Sequence, residues 1–191
     1  GSQSGINKIT KFDASNYASQ IAGEVKGFNA ADHLNVKDVR RTDTFIHFGL
    51  VASMEALNDA GIEKHPNYAE RVGVYIGSGI GGLPLIEATH NLNASVGPKE
   101  ISPFFIPGSI INMIAGNLSI EYGFKGPNLA ISTACTTSTH CIGESFRTIQ
   151  YNDADVMVCG GSESTICDLG VGGFSAARAL STRNDDPQSA S

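Results

Sequence analysis

PNLAISTACTTSTHCIGESFRTIQY, residues Pro127 to Tyr151, decides how the chain is read. It opens on an apolar, strand-prone run: Leu129, Ala130 and Ile131. It closes on a helical pattern in which Ile142, Phe146 and Ile149 recur at spacings of four and three. Between them a tight turn of small residues holds Cys135, flanked by Thr133, Thr136, Thr137 and Ser138. A strand feeding a helix through such a turn sets the turn residue at the helix N-terminus, where unpaired backbone N–H groups and the helix dipole favour negative charge. A thiol placed there reacts as the thiolate, which makes Cys135 a candidate nucleophile on the mechanical plan of a nucleophile elbow. The opposing reading is a small buried hydrophobe, as most free cysteines are. Spacing alone leaves both open.

On the N-terminal side, RVGVYI (Arg71 to Ile76) is an apolar β run followed by Gly77-Ser78-Gly79-Ile80-Gly81-Gly82. These glycines match G-x-G-x-x-G after a strand, the fingerprint of a dinucleotide fold. The context argues against that fold. A long helix precedes the motif, and no strand with an acidic end follows about 20 residues later. That region reads ISPFFIP, residues 101–107, whose two prolines disfavour a central strand. The glycines are therefore read as a tight turn with close backbone packing. Residues 37–61 read as one well-buried helix, through Phe45, Ile46, Phe48, Leu50, Val51, Met54 and Leu57, with Gly61 as its stop. Residues 1–36 read as loop with short strand-like pieces such as Gln20 to Val25. Ser109 to Tyr122 reads as a helix ending at Gly123, and Ala154 to Cys159 as a buried strand ended by Gly160-Gly161. Residues 168–174 read as glycine-rich loop, Ala176 to Leu180 as a short helix, and the remaining tail as irregular. Strands alternating with helices give an α/β layered fold with buried strands.

At 191 residues, one domain with a real core is expected. With 41% hydrophobic and 17% charged residues, the chain has the composition of a soluble globular protein. No apolar run is long enough to span a bilayer, and the polar start GSQSGINKITKFD lacks the apolar segment of a secretory leader. A net charge of −6 argues against a general nucleic-acid binder. Lys37, Arg40 and Arg41 nevertheless cluster in the first turns of the predicted 37–61 helix. A solvated helix face is the ordinary reading of such a cluster; cations oppose the dipole there, and that mild conflict gives a docking role some weight beside it. Cys135, Cys141, Cys159 and Cys167 form no CxxC, and no histidine stands at metal-ligand spacing. The expectation is no disulfide framework, no metal site and a reducing cytoplasm. The histidines are His33, His47, His65, His90 and His140. Thiol acyl chemistry needs an acid/base or oxyanion partner. His140 follows Cys135 by five residues, and a helix turns it away by about 140°. No pattern places the other four beside the thiol, so a catalytic Cys135 would find its partners outside this chain.

TACTTSTHCIG, GSGIGG, SPFFIP, NDADVMVCGG and LGVGGFSAARALSTRND together resemble the β-ketoacyl-[acyl-carrier-protein] synthases. The last run favours type II, the elongating condensing enzyme of bacterial fatty-acid synthesis. The resemblance covers essentially the whole chain. It implies a thiolase-like layered fold, αβαβα in the full enzyme, with residues 1–191 as the N-terminal half lacking its first strand. It implies a cytoplasmic acyltransferase that needs no cofactor or metal, forms a homodimer and partners acyl carrier protein, with no role for nucleic acid or membrane. Cys135 would take the acyl chain as a thioester, and its own N–H would be half of the oxyanion hole. Malonyl-carrier protein would lose CO₂, and the carbanion would attack that thioester to give a 3-oxoacyl product. The two histidines and the lysine that assist in this family lie in the second half, so the piece alone is expected to be inactive.

By the same resemblance Ile80 would gate an acyl tunnel lined by Leu83, Ile86 and Phe174. Phe105 would reach across a two-fold axis into the partner's tunnel, and the strand from about Asn128 to Ser132 would pair with its copy at that axis. Lys37, Arg40, Arg41, Lys99 and Arg178 match carrier-docking positions; Glu100 departs from the pattern, standing where a second basic residue is often found. Four alternatives remain. An idle chain-length-factor subunit lacks the active cysteine, so Cys135 argues against it. A thiolase would use free coenzyme A thioesters, and the basic cluster argues against it. A polyketide ketosynthase shares the fold. A dinucleotide-binding oxidoreductase rests only on Gly77 to Gly82.

Overall fold

The computed structural model describes residues 3–64 and 66–190; Gly1, Ser2, His65 and Ser191 lie outside them. In chain order come β1 (Ile6–Lys8), β2 (Ile21–Gly23), α1 (Val36–Val39), α2 (Thr44–Asp59) and β3 (Val72–Gly77). There follow α3 (Leu83–Val96), α4 (Phe105–Ser109), α5 (Met113–Tyr122) and β4 (Asn128–Leu129). The last are α6 (Thr137–Gln150), β5 (Val156–Gly161) and α7 (Asp168–Ala176). They fall into two compact units, residues 30–164 and residues 1–29 with 165–191.

The larger unit is built on β3, whose six residues are all buried. It is the middle strand of a parallel sheet of order β4-β3-β5. Val72 pairs with Val156 and the register runs to Gly77 opposite Gly161. Parallel neighbours need crossover helices, and these cover both faces. Val72, Val74 and Ile76 pack into one cluster with Phe45, Ile46 and Leu57 of α2 and Ile114, Ala115 and Leu118 of α5. Each such burial contributes about 1.5–3 kcal/mol. Helix α6 covers the opposite face, where the Thr148 hydroxyl bonds the Tyr75 phenol at 3.2 Å.

Helix α6 sits with its polar side inward. Thr137, Cys141, Ser145 and Thr148 are buried, while Ile142, Phe146, Ile149 and Tyr151 are 45–71% exposed. The spacing of Ile142, Phe146 and Ile149 does mark a helix, but that stripe does not face the sheet.

The predicted 37–61 helix is two helices. The chain breaks after α1, and α2 starts afresh because the Asp43 carboxylate caps it, accepting the Phe45 N–H at 3.2 Å. The same carboxylate accepts the Leu85 N–H at 2.8 Å, tying α2 to α3. The cation cluster therefore belongs to α1, with Arg40 as its C-cap. Positive charge is favourable at a C-terminus, so the predicted conflict with the dipole is absent. Gly61 does end α2: at φ 67° it donates to the Asn58 carbonyl while Ile62 reaches back to Leu57, a Schellman closure.

Three further readings change. Helix α3 went unread in the sequence. The helix expected from Ser109 starts at Met113, because Ser109 ends α4. Residues 168–174, read as loop, lie in α7, and the expected Ala176 to Leu180 helix is absent because α7 ends at Ala176. Glycine disfavours a helix locally, but a Cβ at Gly170 would stand 2.0 Å from the Thr165 carbonyl oxygen, so packing requires glycine there.

In the smaller unit β1 and β2 form an antiparallel ribbon. Glu24 accepts from the Thr10 backbone at 2.9 Å and hydroxyl at 2.7 Å, and pairs with Lys26. Burial alone would raise its carboxyl; Lys26 and Thr10 outweigh that and hold it at about 2. The Asn184 carboxamide takes the Gln20 N–H at 2.9 Å and gives to the Ala18 carbonyl at 3.0 Å. Tyr17 donates to Asp168 at 2.9 Å. Among the described residues no helix is long and apolar enough to cross a membrane.

Candidate functional site

Cys135 is the middle residue of a 3-10 turn, Ala134–Thr136, that runs directly into α6. Ala134 adopts φ 54°, the left-handed region a β-carbon resists, so the turn before the thiol is strained. Neighbouring side chains hold it. The Thr133 N–H donates to the Thr137 hydroxyl at 3.0 Å, and the Thr136 hydroxyl donates to the Thr133 carbonyl at 2.7 Å. His140 Nδ1 stands 3.1 Å from the Thr133 hydroxyl. His140 thus braces the nucleophile loop from an exposed position.

Two glycines let this loop sit close to the sheet. A β-carbon at Gly77 would stand 1.8 Å from the Ile131 carbonyl oxygen and 2.8 Å from Thr137 Cγ2. One at Gly161 would stand 2.6 Å from Ser138 Oγ. The head of α6 is therefore pressed against the C-terminal ends of β3 and β5.

The thiol of Cys135 is exposed, and among the described residues no hydrogen bond takes its backbone N–H. An accessible thiol and an unclaimed backbone N–H therefore meet at one residue, as a nucleophile with its own oxyanion donor would require. Cys141, six residues on, shows the contrast: it is buried against the sheet, and burial pushes its thiol up, which makes it unreactive. All four cysteines are free.

The Gly77–Gly82 turn lies beside this loop. The Ser132 hydroxyl donates to the Gly79 carbonyl at 3.2 Å. The turn's own donors converge on Glu163. Its carboxylate accepts the Ile80 N–H at 2.8 Å, the Ser78 hydroxyl at 3.1 Å and the Gly81 N–H at 3.3 Å. A phosphate-binding loop needs such N–H groups free for its ligand. Here a side chain of the same chain occupies them, which removes the physical basis of the dinucleotide reading.

Of the expected tunnel residues, Ile80 sits in that turn and is 41% exposed. Leu83 and Ile86, three residues apart on α3, share a face, and α3 packs against α4, which Phe105 begins. Phe174 belongs to the smaller unit, where it lines a cavity of about 510 Å³ with Ile6, Ile21, Val171 and Leu180. Among the basic residues, Lys37, Arg40, Arg41 and Lys99 are exposed in the larger unit; Arg178, at φ 55°, is in the smaller one. The Arg41 guanidinium lies 4.1 Å from the centre of the Phe104 ring, a cation–π contact. The Asp43 N–H donates to the Gly108 carbonyl at 2.9 Å. The segment carrying the basic cluster is thereby fixed to α4.

The site is thus a strained turn, an exposed thiol at a helix head and a glycine turn packed beside it. The family model described as "Beta-ketoacyl synthase, N-terminal domain" matches residues 1–191. The chain belongs to the beta-ketoacyl synthase family. It is 54% identical over 189 residues to the 3-oxoacyl-[acyl-carrier-protein] synthase 2 of Vibrio cholerae, covering 99% of this chain and 46% of that protein. The protein of that name from Coxiella burnetii is 52% identical over 189 residues, with the same coverages. That from Staphylococcus aureus is 48% identical over 186 residues, covering 97% of this chain and 46% of the relative. The chain thus spans about half the length of the curated relatives it matches. Among solved structures, a beta-ketoacyl synthase from Burkholderia phymatum shares the fold, with a TM-score of 0.82 over 97% of this chain and 46% of that one at 23% identity. A type II PKS acyl-carrier protein in complex with its ketosynthase bound to the hexaketide matches 81% of this chain and 44% of that one, at TM-score 0.75 and 27% identity. The thiolase-like α/β layering expected from the sequence is the one observed.

The sequence reading of this beta-ketoacyl synthase domain missed Glu163 and Asp43. Glu163 is an acid two residues after a strand that ends in two glycines, and here its carboxylate meets the turn beyond the neighbouring strand. Asp43 had an ordinary signal, an Asp-Thr pair opening an apolar helix. Burial pushes its carboxyl up, and burial pushes the neighbouring His47 ring down.

Proposed function

We propose that the full-length protein is a 3-oxoacyl-[acyl-carrier-protein] synthase of type II fatty-acid synthesis, and that this domain supplies its nucleophile. The observation that carries the reading is Cys135: an exposed thiol at the head of α6 whose own N–H is unclaimed, in a chain about half identical to synthases of that name. The thiolate attacks the carbonyl of an acyl-carrier thioester. Charge collects on the carbonyl oxygen, the Cys135 N–H stabilises it, the carrier thiol leaves, and the acyl group stays on sulfur. Malonyl-carrier protein then loses CO₂; the resulting carbanion attacks the enzyme thioester and frees the Cys135 thiolate.

Ile80, Leu83, Ile86, Phe105 and Phe174 are assigned to the acyl tunnel, where each buried CH₂ contributes about 0.8 kcal/mol. Lys37, Arg40, Arg41, Lys99 and Arg178 are assigned to carrier docking, since a cationic patch meets an acidic carrier quickly and in a salt-sensitive way. Strand β4 is an edge strand with Leu129 half exposed, which suits pairing with its copy in a homodimer. Four free cysteines suit a reducing cytoplasm. The apolar side of α6 suits a further layer, and the histidines and lysine that assist Cys135 are assigned to residues beyond this domain.

The test is mass spectrometry of the full-length protein after incubation with acyl-acyl carrier protein. The expected result is an acyl adduct on Cys135 that is absent in Cys135→Ala, and a product two carbons longer once malonyl-carrier protein is added. An adduct equally present in Cys135→Ala, or none in either, refutes the assignment.

A further inference from the structure

Glu163 is used neither by the family reading nor by the chemistry at Cys135, yet three donors of the neighbouring turn point at it. The Ile80 N–H reaches Oε2 at 2.8 Å; the Ser78 hydroxyl and the Gly81 N–H reach Oε1 at 3.1 and 3.3 Å. The Ser78 hydroxyl also accepts the Gly81 N–H at 3.1 Å, so the turn is closed on itself through the same group. On its other side the turn is pinned to the nucleophile loop by the Ser132 hydroxyl on the Gly79 carbonyl. Gly79 lies between the two anchors: a β-carbon there would stand 3.0 Å from Glu163 Oε2 and 3.4 Å from the Ala134 Cα.

Successive N–H groups turned toward one point form a nest for an anion, and a charged acceptor there bonds about twice as strongly as a neutral one. Without that anion the Ile80 N–H would go to water and the Ser78 hydroxyl would lose its acceptor, leaving only the Ser78–Gly81 bond to hold the turn. The Ile80 side chain is exposed and carried by the residue whose N–H is held most closely, so its position follows the carboxylate.

We propose that Glu163 is a positioning residue that sets chain-length selection: its carboxylate fixes the Ser78–Gly81 turn and thereby the Ile80 side chain, on a turn tied to the loop that carries Cys135. This inference rests on the acyltransferase reading above. Glu163 touches neither thiol nor acyl chain; it acts through Ile80. On the tunnel assignment proposed above, a long acyl chain passes Ile80 and a short one does not. Loss of Glu163 should therefore weaken discrimination between the two and leave the thiol itself unchanged.

In the full-length protein, Glu163→Ala and Glu163→Gln are compared with wild type by kcat/KM for Cys135 acylation from one short and one long acyl-carrier thioester. Alkylation of Cys135 by iodoacetamide, followed at the peptide level, reports the thiol independently. The expected result is a long-to-short ratio changed by roughly tenfold in Glu163→Ala, as for a misplacement of an ångström or less. Glu163→Gln keeps one acceptor oxygen and should fall between, with alkylation within about twofold of wild type in both. An unchanged ratio in both variants overturns the proposal. So does an equal loss for both thioesters accompanied by slower alkylation, because Glu163 would then act on the thiol. If Glu163→Ala does not fold, the ratio in the near-isosteric Glu163→Gln decides alone. A wild-type protein that takes no acyl group would instead refute the acyltransferase reading, and this inference with it.

Discussion

Replacing Gly77 by alanine tests whether the sheet itself places the nucleophile. The added β-carbon would lie 1.8 Å from the Ile131 carbonyl oxygen and 2.8 Å from Thr137 Cγ2, whereas real contacts essentially never fall under 3.0 Å. The threonine methyl can give by rotation. The Ile131 oxygen is backbone and cannot, so the segment must retreat from 1.8 Å to at least 3.0 Å. That segment carries Cys135 four residues later. Overpacking of this kind costs about 1–3 kcal/mol, and each kcal/mol lowers the Tm of a domain this size by about 2–4 °C. A displacement near 1 Å at a reacting atom costs about 10²-fold in rate. The expected outcome for Gly77→Ala in the full-length protein is therefore a Tm lower by several degrees and acyl-adduct formation on Cys135 slowed about a hundredfold, read by intact mass over time. Gly5→Ala is the control, since nothing lies within 4 Å of a β-carbon there and its backbone is not left-handed. Wild-type acylation and Tm in Gly77→Ala would refute the argument that glycine at this point sets the thiol's position.

Three more outcomes are expected. Asp43→Ala removes the α2 cap and the bond to Leu85 together, and should cost about 1–2 kcal/mol in denaturant unfolding. Glu24 is held at about 2 against 4.5 when free. Its contribution is present above pH 4.5 and is lost as pH falls toward 2, so Glu24→Gln should flatten the acid limb of a pH–stability curve over that window. Lys37→Glu with Arg40→Glu should raise KM for the carrier-bound substrate several-fold, with a weaker salt dependence, and leave a carrier-free thioester unaffected.

The parts legible from sequence were those written in local patterns. VGVYI, from Val72 to Ile76, is a buried strand because each of its residues can be enclosed on either face. Gly61 and Gly123 stop their helices through left-handed backbone. The thiol at a helix head followed from one strand, one turn and one helical run. What escaped depended on neighbours distant in sequence. The glycines of α7 looked like loop because their reason, the Thr165 carbonyl against Gly170, is a packing contact. The break before α2 was passed over although the apolar pattern begins only at Phe45 and Asp43 marks the new start. Glu163 meets a turn some 80 residues earlier, and no spacing rule connects them. The orientation of α6 was not legible for a related reason: hydrophobic periodicity shows that a face exists but not which neighbour it meets.

That face has a consequence for the order of events as the protein matures. The stripe starts at Ile142, seven residues beyond Cys135, about two turns and 10 Å along the helix. On the function proposed above, a layer laid over Ile142, Phe146 and Ile149 would also close one side of the Cys135 site. Hiding the oily side of α6 and shielding that thiol from bulk water would then be a single event, and the drive to bury hydrocarbon would act as a timer for the proposed chemistry.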